Sequence, residues 1–310
     1  AYEFPTPEII AAHVFYNHSA FDGDDASAGP SDDDAIDPGK EPLRLGDTPG
    51  ANHLTSYSRG LNGIMIDVSN LPSGPLTAED FELHVSGDAG WTAAPQFVEI
   101  EVRQDSGVDG SSRVTLIWED GAIAGTWLSV TMLPTEKTGL VEAETFAFAG
   151  LPGDFNDDGA VSDADYTIWA DHYGQTNMAA PPLGDLNLDG SVSDADYTIW
   201  ADHYGQTLPA APTFASISGY VLQDDEADGP LDNGDSPVES ATVYADLNDD
   251  GQWSPGEPRT ITADDGTWKL MHAPIGDYTV RAIPVGMVVP QAVQASSTFS
   301  QTADPPQRII

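Results

Sequence analysis

Over the first 150 residues the apolar positions alternate with polar ones or gather in short runs, and no stretch keeps a helical period. The runs are His13–Tyr16, Gly63–Val68, Phe81–Val85, Phe97–Arg103, Arg113–Trp118, Trp127–Leu133 and Thr145–Ala149, separated by Gly, Pro, Asn and Asp clusters. Seven such runs predict strands packed as a β-sandwich over 1–150. One acidic connection, Asp22–Pro42, is too long for an ordinary hairpin.

The period changes after Gly150. The stretch VSDADYTIWADHYGQT occurs at Val161–Thr176 and again, unchanged, at Val192–Thr207. Tyr166, Trp169 and Tyr173 fall at helical spacing and predict one aromatic face, with Gly174 as the stop. That face reads first as a small core and second as a docking surface. Ser162 followed by Asp165 predicts a capping box at the helix start. Ahead of each helix stands an acidic turn, GDFNDDGA at Gly153–Ala160 and GDLNLDGS at Gly184–Ser191.

These turns place oxygen donors at positions one, three, five, seven, nine and twelve of a calcium loop. In the first they are Asp154, Asn156, Asp158, the Ala160 carbonyl, Ser162 and Asp165. In the second they are Asp185, Asn187, Asp189, Ser191, Ser193 and Asp196. Alternation lets the chain wrap an ion, and the Gly at position six supplies the sharp turn.

A further β-rich segment follows, with strands expected at Ser216–Leu222, Ala241–Asp246, Thr260–Thr262, Thr267–Met271 and Tyr278–Ile283. It carries two more candidate loops. DLNDDGQWSPGE offers Asp246, Asn248, Asp250, Gln252, Ser254 and Glu257; the looser DDEADGPLDNGD offers Asp224, Glu226, Asp228, Pro230, Asp232 and Asp235. About four Ca²⁺ sites are therefore expected, with a fifth open among the acids of 22–37. The alternative for those acids is a merely solvated loop. The divisions expected are 1–150, 151–207, a linker at 208–214, 215–290, and a tail or terminal strand at 291–310. Asn17-His18-Ser19 fits a glycosylation sequon.

Residues 153–207, with their paired Gly-Asp-x-Asn-x-Asp-Gly openings, resemble the type I dockerin family. The resemblance implies two calcium ions, near-twofold symmetry and a cohesin-like partner. The helices depart from the cellulosomal pattern, holding Asp163, Ala164, Asp171 and His172 where recognition residues are usual. The segments ISGYVLQD, ATVYADLNDDG, ADDGTWKL and IGDYTVRAIPVGM are similar to the Sdr-type B repeat, which implies a calcium-stiffened, Ig-like β-sandwich over 216–287. RGLNGIMIDVSNLP and SRVTLIWEDGAIAGTWLSVTML resemble domains found beside dockerin-like repeats in planctomycete secreted proteins. The fold class expected is thus mainly β and multidomain, with a small helical pair between two sandwiches.

Composition narrows the function. The chain has 310 residues, 51 acidic against 10 basic, and a net charge of −41. Such a surface cannot neutralise phosphates, so nucleic acid is not expected as a partner, and membrane insertion has no apolar span to support it. There is no Cys, so calcium is the available staple for an extracellular protein. The start at AYEF reads as a processed or truncated form. No His-Glu-x-x-His, Gly-x-Ser-x-Gly or phosphate-binding Gly-rich loop is present, so an enzyme is not expected. The expected role is a secreted calcium-binding structural protein, assembling with copies of itself into a filament or cell-surface array. Two other readings stand beside it: an adaptor for a cohesin-like domain, and a carbohydrate-active protein.

Overall fold

The fold is taken from a computed structural model that describes residues 5–44, 47–87, 90–176, 183–211, 216–223, 236–247, 249–254, 257–271, 277–283, 291–298 and 307–309. It is mainly β. The first strands are β1 (Glu8–Val14), β2 (Leu54–Thr55), β3 (Gly63–Ser69), β4 (Phe81–Gly87), β5 (Gly90–Ala93), β6 (Glu99–Arg103), β7 (Ser112–Ile117), β8 (Thr126–Met132) and β9 (Glu144–Gly150). They form two sheets, ordered β1-β3-β7-β6 and β2-β9-β8-β4-β5.

Residues two apart share a face of a strand. Ile64, Ile66 and Val68 of β3 and Val114 and Leu116 of β7 thereby meet Phe81, Leu83, Leu128, Val130, Phe146 and Phe148 of the other sheet in one core. The outer face of the five-stranded sheet is covered too. Trp127, Ala147 and Ala149 pack there with Leu43 and Leu54, and with the half-buried Leu208 and Ala211. The segment expected as a linker is therefore packed over its described part, 208–211, and the Trp127 indole donates to the Pro209 carbonyl at 3.3 Å.

Three expectations shift. The first strand lies at Glu8–Val14, not His13–Tyr16, and Phe15 only bridges Ile36. Its register against β3 slips between Ile9 and Ala11, and this bulge breaks the alternation by which a strand is read. The run expected from Phe97 starts at Glu99. Strands β2 and β5 were not expected; both are too short to display a period.

A row of charge crosses the outer face of the four-stranded sheet. Asp67 on β3 is opposite Arg113 on β7, and Arg113 is opposite Arg103 on β6. Arg113 donates to both Asp67 oxygens at 2.8 Å, while His13 Nε2 lies 3.1 Å from Oδ2. Asp33, from the acidic connection, accepts from both Arg103 and Arg113 and ties that loop down.

Beyond the helices lie β10 (Ser216–Gln223), β11 (Ser236–Pro237), β12 (Thr242–Asp246), β13 (Arg259–Ile261), β14 (Thr267–Met271), β15 (Asp277–Ile283), β16 (Gln291–Thr298) and β17 (Gln307–Ile309). They form sheets ordered β11-β10-β14, with β17 added beside β10, and β13-β12-β15-β16. Ile217, Val221, Trp268 and Leu270 face Val243, Ala245, Val280 and Ala282 in a second core. The final segment thus contributes two strands, antiparallel to β15 and parallel to β10, where the sequence left a tail or one terminal strand open.

Burial alone would raise the Asp67 carboxyl, but hydrogen bonds from Arg113, His13 and the Val108 N–H outweigh it and hold the group well below the usual carboxylate range. A depressed folded value contributes stability above the unfolded value of about 3.9, lost as pH falls toward the folded one. Asp67→Asn is expected to cost about 3–5 kcal/mol in urea unfolding near neutrality, with a smaller difference from wild type in acid.

Candidate functional site

The first acidic turn is built by its own side chains. Asp154 Oδ1 accepts from the Asp158 N–H at 3.1 Å and Oδ2 from the Gly159 N–H at 2.8 Å. Asn156 Oδ1 accepts from the Asp158 N–H, and Asp158 Oδ1 from the Ala160 N–H, both at 3.0 Å. Asp165 closes the ring, accepting from the N–H groups of Asn156 and Ser162 at 3.2 and 2.8 Å. Each short polar side chain captures a backbone donor a few residues on, so the turn is encoded locally. Asp157 and Gly159 take φ values of 55° and 88°, the left-handed steps that bend the chain inward.

The second turn repeats this bond for bond. Asp185 accepts from Asp189 and Gly190, Asn187 from Asp189, and Asp189 from Ser191. Asp196 accepts from Leu186, Asn187 and Ser193. A third copy lies in a β setting, at the end of β12. Asp246 accepts from Asp250 and Gly251, Asp250 from Gln252, and Glu257 from Leu247 and Ser254. Asn248 lies outside the described residues, as do Asp224, Glu226, Asp228, Pro230, Asp232 and Asp235 of the looser loop.

The helices are α1 (Asp163–His172) and α2 (Asp194–His203). Ser162 and Ser193 cap them, each accepting from the N–H two residues on, while Asp165 and Asp196 reach back to complete the box. The two copies meet reciprocally. Trp169 donates to the Ser193 carbonyl and Trp200 to the Ser162 carbonyl. Tyr173 donates to Asp194, and Tyr204 to Asp163. Tyr166, Trp169, Tyr197 and Trp200 stack between the helices with centroids 5.1–6.3 Å apart. The aromatic face is therefore the seam of the pair, yet Tyr166, Tyr173, Tyr197 and Tyr204 remain 40–53% exposed. Tyr173 lies just past the helix end, and Gly174, at φ 82°, turns the chain away.

The acceptor atoms these side chains bring to the turns are oxygens, which suit a hard cation such as Ca²⁺. Asp154, Asp165, Asp185 and Asp196 are buried, and among the described residues none of them pairs with Lys, Arg or His. Buried charge without a partner is costly, so the donor set fits a bound cation. Among the described residues no group of three or more His or acidic side chains is arranged to hold a metal ion. The third turn differs: Arg281 contacts Asp246 at 2.5 Å and Asp249 at 2.9 Å, supplying part of the positive charge. Burial first, then Asp157 and Asp165, pushes Asp154 up to about 7; burial and Asp196 push Asp185 up to about 6.

The acids of 22–37 have mostly found protein partners. Asp22 accepts from the His18 and Ser19 N–H groups, Asp32 from Gly29, and Asp37 from Tyr16 and Gly39. Asp33 belongs to the arginine row. The sequon does not present a glycan acceptor, because Asn17 is buried and its amide donates to the Ala26 carbonyl. A cleft of about 570 Å³ lies beside Phe81, Lys137 and Trp253. One face of that indole is covered by Arg259, 4.5 Å away and itself paired with Glu82 at 2.9 Å, which leaves less of it to stack on a sugar.

No family model and no curated protein matches the chain. Among solved structures it is weakly similar to a major pilin subunit of Bacillus cereus, at 9% identity and a TM-score of 0.17, covering 85% of this chain and 64% of the pilin. A pullulanase from Anoxybacillus is similar at 8% identity and a TM-score of 0.15, covering 76% of this chain and 24% of the enzyme.

Without metal, Asp154 and Asp185 hold protons in the fold at pH values where the unfolded chain, titrating near 4, has lost them. Stability in chelator should therefore fall as pH rises from about 4 to about 7. Saturating calcium should abolish that fall, read as the thermal midpoint across the same range. Calorimetric titration should resolve two tighter sites from a weaker third, the Arg281 loop.

Proposed function

We propose that the chain is a secreted, calcium-binding structural protein that serves as a subunit of an extracellular filament or cell-surface assembly. One observation carries the metal: the side-chain-to-backbone hydrogen bonds of positions one, five and twelve recur in three turns on two unrelated scaffolds. A turn needed only as a connection has no reason to bury two carboxylates each time. The resemblance of 153–207 to type I dockerins, and of 216–287 to Sdr-type B repeats, supports the same ion. On this reading the chain divides into a sandwich at 1–150, the calcium-bound helix pair at 151–207, a short connection at 208–214, a second sandwich at 215–290 and terminal strands at 291–310.

Calcium in that role is a stiffener. It holds together short turns and a two-helix unit too small to bury a core of its own, in a chain without disulfides. No reaction is assigned, because the sequence offers none of the common catalytic motifs.

Contact between subunits is best supported at the helix pair. The terminal strands Glu8–Val14, Gln291–Thr298 and Gln307–Ile309 each pair with strands of the same chain. The exposed tyrosines of α1 and α2 present the same surface twice. The same feature favours the second reading, an adaptor whose helix pair binds a cohesin-like domain, since aromatic side chains anchor interfaces of either kind.

Sedimentation and electron microscopy of the purified chain, with calcium and with chelator, test the proposal. Ordered assemblies with calcium that disperse in chelator are expected, and Tyr166→Ser with Tyr197→Ser should prevent them without abolishing calcium binding. A monomer at every calcium concentration would overturn self-assembly and leave the adaptor reading.

A further inference from the structure

Over the first nine positions of the two turns beside the helices the odd places carry the oxygen donors, while the side chains at positions two and four are engaged elsewhere. Phe155 and Leu186, at position two, are buried. Leu188, at position four, belongs to the core of the first sandwich together with Phe15, Tyr16 and Tyr57. Asp157, its counterpart in the first turn, accepts from Lys40 Nζ at 2.6 Å. Main-chain bonds join the same places: the Ser58 N–H donates to the Leu186 carbonyl at 2.8 Å, and the Ala20 N–H to the Leu188 carbonyl at 3.0 Å.

Leu188 is an odd choice for its backbone. Its φ is 52°, the left-handed region that Asn and Asp enter readily and an aliphatic side chain does not. The equivalent positions in the other two turns hold Asp157 and Asp249. A leucine there is unfavourable for the turn by itself and is explained by what it fills in the sandwich.

We propose that cation binding by these two turns and their docking on the first sandwich form one coupled equilibrium. Phe155, Asp157, Leu186 and Leu188 then act as a metal-dependent clasp within the chain. The proposal rests on the calcium reading above. Its physical basis is shared backbone: Asp185, Asn187 and Asp189 alternate with Leu186 and Leu188, so whatever fixes the donors fixes the anchors. Linkage makes the effect reciprocal, so weakening the clasp must weaken the ion although no anchor side chain is a ligand.

Leu188→Asn in the full chain separates this from a purely local turn, because it relieves the left-handed strain and spares every donor. Calcium titration by calorimetry is expected to show affinity at the second turn reduced at least about five-fold. Hydrogen exchange at the Ala20 and Ser58 amides should speed up, both in this variant and in wild type treated with chelator. Lys40→Met, a milder change outside both turns, should weaken the first turn in the same direction and serves if Leu188→Asn does not fold. Calcium affinity equal to or tighter than wild type in a folded variant would overturn the clasp, as would Ala20 and Ser58 protection unchanged by chelation. A wild-type chain that binds no calcium at all would overturn the metal reading itself, a result visible before any variant is made.

Discussion

A carboxylate at the first position of a tight turn, buried and held by two backbone N–H groups, is the constraint on which the middle of this protein depends. Asp154, Asp185 and Asp246 each occupy that place, with Asp165, Asp196 and Glu257 closing the ring behind them. The N–H groups orient the carboxylates but do not cancel their charge. The raised proton affinity of Asp154 and Asp185 comes from burial first, with repulsion from Asp157 and Asp165 added on the one and from Asp196 on the other. The cation we propose would turn the same arrangement from a source of strain into a fastening.

Positive charge is scarce in this chain, and where it falls is informative. With 10 basic residues against 51 acidic ones, most of the arginines and lysines are committed to ion pairs between separate elements. Arg113 and Arg103 bind the acidic connection to the first sheet through Asp33, and Lys40 meets the first turn at Asp157. Arg259 joins the second sandwich to Glu82 of the first, and Arg281 shares the third turn. Among the described residues the helix-pair turns have no such side chain on their buried carboxylates, whereas Asp67, Asp80 and Glu82 of the first sandwich each have one.

The helix pair holds together through reciprocity. Each tryptophan donates to the carbonyl of the serine that caps the opposite helix, so each cap serves its own helix and its partner's indole. The identity of Ser162 and Ser193, Asp163 and Asp194, Trp169 and Trp200, and Tyr173 and Tyr204 fits this twofold arrangement, since each pair makes the same bond in both directions. The turns differ at positions two, four and seven. The first two of these are where the sandwich is met.

What the sequence determines alone is whatever closes within a few residues. The three turns, both capping boxes and the glycines at φ 88°, 89° and 76° are all legible from spacing, because each donor and acceptor lies within about a dozen positions of its partner. Short apolar runs bounded by turn residues, such as Gly63–Ser69 and Thr126–Met132, are legible as strands for the same reason. Tertiary structure decides the rest. It shifts the first strand through a bulge, spends the acids of 22–37 on local amides and distant arginines, and packs Leu208 and Ala211 over Trp127. It also draws a leucine at φ 52° into a core built by strands far away in the chain. Leu188 looks in sequence like a break in an acidic turn. Only the sandwich it fills gives that residue a reason, because burial of an apolar side chain depends on what surrounds it and not on its neighbours in the chain.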